Sequence, residues 1–145
     1  MKNKRNILII FLLTISFVSC RNHDETLIIK KLAKYNQIDL SVLCNQKFDC
    51  LIILDEGTTL EQYDIQNLSE QKWLGQKIIF VKNNEIVKQV NLSYYVSEPK
   101  KNYYLSFFYE VKPSDKYIKR NFNDCVFSII SKQQIGENSI CYYLQ

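Results

Sequence analysis

Two apolar runs, Ile78 to Val81 and Ile86 to Leu92, flank Lys82-Asn83-Asn84-Glu85, and this stretch limits the folding of the chain most tightly. Asparagine tolerates the positive φ that a two-residue hairpin turn demands, so Asn83-Asn84 is read as the turn. That choice fixes a register in which Lys82 faces Glu85, Val81 faces Ile86 and Phe80 faces Val87, so opposite charges and apolar partners meet. Ile79, Val81, Ile86 and Val90 then share one face, interrupted by Lys88 alone, and that face is expected to meet the core.

The remaining periodicity supplies partners for this hairpin. Thr26 to Asn36 places Ile28, Leu32 and Tyr35 on one helical face, joined by Ile29 and Ala33, and predicts an amphipathic helix. Phe48 to Leu54 is a continuous apolar run ending at Asp55-Glu56-Gly57, as a central strand entering a turn would. Thr58 with Glu61 fits a capping box, and Leu60, Tyr63 and Leu68 follow at near-helical spacing, which predicts a short second helix. Tyr103 to Val111, Cys125 to Ile130 and Ile140 to Leu144 read as strands, with loops at Pro99 and Pro113 and a short helix through Lys116 to Asn121. The expected fold is α+β, a mainly antiparallel sheet of about five to six strands with an N-terminal helix and a second short helix. With 145 residues, 46% of them hydrophobic, the chain has room for one core.

The first twenty residues follow a different logic. Lys2, Lys4 and Arg5 precede an apolar segment from Ile7 to Val18 of about twelve residues, too short for a bilayer span of roughly twenty. The segment ends in Phe17-Val18-Ser19-Cys20, which resembles the lipobox of bacterial lipoproteins, with Phe17 where Leu is usual. The resemblance implies a signal peptide over residues 1–19, cleavage before Cys20 and acylation of its thiol. Acyl chains contribute about 0.8 kcal/mol per buried methylene, so two or three of them would hold the protein on a membrane. The alternatives are a plain secretory signal with an incidental cysteine, or a buried helix of the domain. Residues 20–25, with Arg21-Asn22-His23-Asp24-Glu25, then form a polar tether, and 26–145 the single α+β domain. Arg21 stands where an Asp would resemble an inner-membrane retention signal, so the sorting expected is to the outer membrane of a Gram-negative envelope. The Asp24-Glu25 pair resembles the surface-export signal of some lipoproteins, leaving the periplasmic and the surface face both open.

Removing Lys2, Lys4 and Arg5 from the 19 basic residues leaves 16 against 15 acidic ones, a net charge near +1. Lys30-Lys31, Lys100-Lys101 and Lys119-Arg120 are scattered among acids, so no basic stripe for nucleic acid is present and no such partner is expected. With Cys20 assigned to lipid, Cys44, Cys50, Cys125 and Cys141 remain, an even number in an oxidising compartment. The pairs Cys44 with Cys50 and Cys125 with Cys141 are expected, the second only if Lys132-Gln133-Gln134 forms the hairpin loop; a turn at Gly136-Glu137 forbids it. Four buried thiols are the alternative.

From the first helix through FDCLIIL, Trp73-Leu74-Gly75 and the Phe80-Val81-Lys82-Asn83-Asn84-Glu85-Ile86-Val87 hairpin, the order of elements resembles that of small bacterial lipoproteins. The resemblance covers about half of the mature chain and implies no catalytic residue. His23 is the single histidine and lies in the tether, so Ser-His and Cys-His catalysis and a His-ligated zinc are excluded from the domain. No cofactor or metal is expected. Asp55 and Glu56, at the end of the apolar strand, are the one carboxylate pair placed for acid/base chemistry, and a hydrolase using them is the enzyme alternative. Alternation along Tyr103-Tyr104-Leu105-Ser106-Phe107-Phe108-Tyr109 should turn Tyr104, Phe108 or both away from Leu105 and Phe107, as rings offered to a protein partner. The expected role is binding or structural, with an envelope immunity or accessory protein as the nearest variant of it.

Overall fold

The computed structural model describes residues 23–63, 65, 67–93, 102–108, 117–135 and 137–145. Helix α1 (His23–Tyr35) carries Asp24 and Glu25 in its first turn and Lys34 in its last, charges that oppose the helix dipole at both ends. It stops where Asn36 takes φ 55° and its N–H meets the Leu32 carbonyl at 3.0 Å, a left-handed cap. Ile28 and Leu32 are fully buried, whereas Tyr35 is exposed, so the apolar stripe is narrower than expected. Because the helix begins at His23, the residues 23–25 assigned to the tether are its first turn.

Eight strands follow among the described residues: β1 (Gln37–Asp39), β2 (Cys50–Leu54), β3 (Lys77–Lys82), β4 (Glu85–Asn91), β5 (Tyr103–Ser106), β6 (Tyr117–Asn121), β7 (Val126–Ile135) and β8 (Ser139–Leu144). They form two four-stranded sheets, ordered β4-β3-β2-β6 and β1-β7-β8-β5. Every described pairing is antiparallel except β5 with β8. The class is therefore α+β and mainly antiparallel, but the single sheet of five to six strands gives way to two sheets, and the two helices to one main helix.

The two sheets and α1 share one core. Leu51, Ile53, Ile78, Phe80 and Val90 from the first sheet meet Ile38, Leu105, Phe127 and Leu144 from the second, with Ile28 and Leu32 of the helix among them. The alternate residues Ile52, Leu54, Ile79 and Val81 point to the other face, where Leu60, Tyr63, Ile65 and Leu68 cover them. A strap made of residues 58–63, 65 and 67–76 thus lies across the outer side of the β4-β3-β2-β6 sheet. Burial on both faces is why β2 and β3 read as unbroken apolar runs and not as alternating ones.

The strap replaces the expected second helix. Among the described residues of the strap only Glu61–Tyr63 form a 3-10 turn; Thr58 Oγ1 donates to the Asp55 carbonyl at 2.7 Å, and the Thr59 N–H goes to Gln62 Oε1 at 2.9 Å, so no Thr58–Glu61 box closes. The spacing of Leu60, Tyr63 and Leu68 reflects contact with a sheet. In place of the helix expected through Asn121, β6 runs as a strand beside β2, with Ile118 opposite Ile53. β5 ends at Ser106, and Tyr109 to Val111 lie outside the described residues.

In the β3-β4 hairpin Asn83 and Asn84 take φ of 51° and 60°, and the pairs Lys82 with Glu85 and Val81 with Ile86 form as expected. The next pair differs. A bulge at Val87 sets Phe80 opposite Lys88, so Val87 and Val90 turn to the main core while Ile86 stays on the outer face. Lys88 comes with them, and its ammonium leaves the sheet edge to meet Asp24 at 3.0 Å and the Leu43 carbonyl at 2.5 Å.

Candidate functional site

Asp55 follows β2 and opens a turn that Gly57 completes at φ +71°, a conformation in which a Cβ would be strained. Asp55 Oδ1 accepts the Glu56 N–H at 2.8 Å and Gln76 Nε2 at 3.2 Å, and Gly57 N–H donates to the Leu74 carbonyl at 2.7 Å. The carboxylate is engaged in holding its turn against the strap. Loss of water around the Glu56 carboxyl and the charge of Asp55 push its pKa up, although the side chain reaches solvent. The two acids sit side by side in one turn, not across a cleft from one another.

Beneath the strap lies a polar group that sequence reasoning missed. Lys77 has no exposed surface; its ammonium meets Glu70 Oε2 at 3.1 Å, while Glu70 Oε1 accepts the Leu60 N–H at 2.9 Å. Lys77 sits in the run Lys77-Ile78-Ile79-Phe80-Val81, where a lysine reads as a strand edge, so only the distant Glu70 could have signalled burial. Next to it, Gln76 is buried, and its Oε1 has no hydrogen-bond partner among the described residues.

Three elements converge where α1 begins. Both oxygens of Glu25, a buried residue, accept from Ser93, one from its N–H at 3.1 Å and one from its Oγ at 2.5 Å. The neighbouring Leu92 carbonyl accepts the indole N–H of Trp73 at 2.7 Å, and the Leu92 N–H donates to the Gln76 carbonyl at 2.9 Å. Gln89 clamps the strap further along, accepting the Gln71 N–H and donating to the Gln71 carbonyl, each at 2.9 Å. Trp73 and Leu74 protrude at this end, 38% and 68% exposed, beside exposed Lys72.

Cys44, Cys50, Cys125 and Cys141 are free thiols. Cys44 packs against the main core and Cys50 against the outer cluster, on opposite sides of the sheet, which corrects the expected Cys44–Cys50 pair. Ile135 pairs with Ser139 and Cys141 faces Gln133, a register that a Lys132-Gln133-Gln134 loop could not set. Cys125 precedes β7, roughly 25 Å away along the strand, and the Cys125–Cys141 bond is forbidden as the Gly136-Glu137 turn implied. The Cys125 thiol donates to the Asn121 carbonyl at 3.2 Å; burial first, then the charge of Asp39, push its pKa up to about 11.

The aromatic tract is core at the positions described. Tyr104 does point away from Leu105, beside its strand partner Cys141, but it is 4% exposed, so that face too is covered there. Phe108 is half-buried against the main cluster. Neither is an outward ring. An open depression of about 370 Å³ beside the β7-β8 turn is lined by Lys132, Gln134, Glu137 and Ile140 among others, and includes neither Asp55 nor Glu56.

His23 is exposed at the start of α1, and Cys20 lies outside the described residues. Among the described residues no three His, Cys, Asp or Glu side chains gather to hold a metal ion, and no helix is long and apolar enough to cross a membrane. No protein-family model matches the chain, and no curated protein or solved structure is significantly similar to it.

Proposed function

We infer that the chain is a lipid-anchored lipoprotein of the bacterial cell envelope, held at the outer membrane through Cys20, whose domain has a binding or structural role toward another protein. The observation that carries this reading is the basic start, short apolar segment and Ser19-Cys20, followed within three residues by the helix that opens the folded domain. The first turn of that helix is tied into the body through Glu25–Ser93 and Asp24–Lys88, which suits a point where an anchor pulls. An envelope immunity or accessory protein is the same reading with a dedicated partner. A hydrolase using Asp55 and Glu56 has less support, because Asp55 is engaged with Gln76 and its own turn. Replacing Cys20 with Ala should move the protein from the membrane to the soluble fraction after lysis. Identical fractionation of the two forms would overturn the anchoring.

A further inference from the structure

We propose that the exposed segment Lys72-Trp73-Leu74 is a second membrane contact, lying in the headgroup region of the lipid layer that holds Cys20. This rests on the lipid-anchor reading and adds an orientation to it. The geometry starts from the Glu25 carboxylate, which accepts the Ser93 N–H at 3.1 Å; the Leu92 carbonyl of the same peptide accepts the Trp73 indole N–H at 2.7 Å. These links put the indole nitrogen within about 8 Å of that carboxylate, in the first turn of α1. Cys20 precedes His23 by three residues, which span at most about 10 Å when extended, so the acylated end cannot stand far from the helix start. An anchor so short holds this end of the domain close to the lipid.

The chemistry at this end suits lipid. Tryptophan favours the membrane interface because it joins a large apolar ring to one polar N–H, and here that N–H is already satisfied by the Leu92 carbonyl. Leu74 projects next to it with 68% of its surface exposed, and Lys72 adds a positive charge that anionic headgroups attract. Of the described acids at this end, Asp24 is paired with Lys88, Glu25 is held by Ser93, Glu70 is paired with Lys77 and Asp55 is bonded to Gln76; Glu56, next to the Gly57 whose N–H meets the Leu74 carbonyl at 2.7 Å, is the exposed acid beside the segment.

Trp73 is the single tryptophan, so its emission reports this contact without a label. The full-length protein, expressed with its signal and extracted from membranes, is reconstituted into phosphatidylethanolamine/phosphatidylglycerol vesicles with and without lipid brominated near the headgroup end of its acyl chains. Emission should fall by roughly half in the brominated vesicles, as for an indole at the interface. Leu74→Asp should lose most of that quenching while still floating with the vesicles, since Leu74 supports no core contact at its exposure. Acylated, vesicle-bound protein with equal Trp73 emission in both vesicles would overturn the contact and leave the anchor standing. That is also the result if the segment serves a protein partner. Protein without an acyl group on Cys20 would overturn the anchor reading and this one with it.

Discussion

Lys77 and Glu70 form an ion pair with almost no access to water, and such a pair contributes less than its distance suggests because both charges give up hydration. Losing one partner is the damaging event. Glu70→Gln should cost about 3 kcal/mol, read as a lower urea midpoint with an unchanged slope, because the Lys77 ammonium stays buried without a counter-charge. Adding Lys77→Met should restore most of the loss, since the amide introduced by Glu70→Gln retains an oxygen for the Leu60 N–H. The raised pKa of Glu56 has its own signature. The folded state holds that proton more tightly than the unfolded one, so stability falls as pH rises through the window between the ordinary and the raised value and stays lower above it. Glu56→Gln should therefore raise Tm at about pH 7 and leave it unchanged at about pH 3. The thiols give a third test: denatured protein without reductant should titrate four free cysteines besides Cys20, with half-buried Cys44 and Cys50 alkylating before buried Cys125 and Cys141 in the native state. A Cys125–Cys141 disulfide would contradict the β7-β8 register.

At the scale of elements, the β3-β4 hairpin was the most legible piece, because Asn83-Asn84 carries its own φ requirement and the flanking charges fix the first pairs. Its bulge at Val87 was not legible; nothing local marks it, and it follows from Lys88 leaving the edge for Asp24 and Leu43. The strap differs from the expected helix for a related reason. Leu60, Tyr63 and Leu68 recur at helical spacing, yet they answer to apolar side chains of β2, β3 and β4 that lie far off in sequence. The turn itself is testable: Asn84→Gly should keep the hairpin at unchanged or higher stability, whereas Asn84→Val, β-branched at positive φ, should cost about 1–2 kcal/mol in thermal or urea unfolding.

At the scale of the whole molecule, the α+β class was readable from the mixture of apolar runs and one amphipathic stretch, but the split into two sheets was not. It depends on β5 joining β8 in parallel and on β1, a three-residue strand, meeting β7, and both are long-range choices without a local signal. The same choices bury Tyr104, which is therefore not the outward ring expected, while exposed large apolar residues are spread over α1, the strap and β6 to β8, Leu74 being the most exposed of those described. Cysteine positions likewise show nothing of side until β2 and β7 have been placed. The candidate site was thus legible in part: Phe17-Val18-Ser19-Cys20 can be read in the sequence, while the meeting of Glu25, Ser93 and Trp73 at the start of α1 emerges only in space. Acylation of Cys20 is decided by mass analysis of the membrane-extracted protein after cleavage at Glu25: the expected N-terminal peptide runs from Cys20 to Glu25 and bears a diacylglyceryl thioether. A mature chain that starts at any other residue, or a Cys20 without acyl groups, would contradict it.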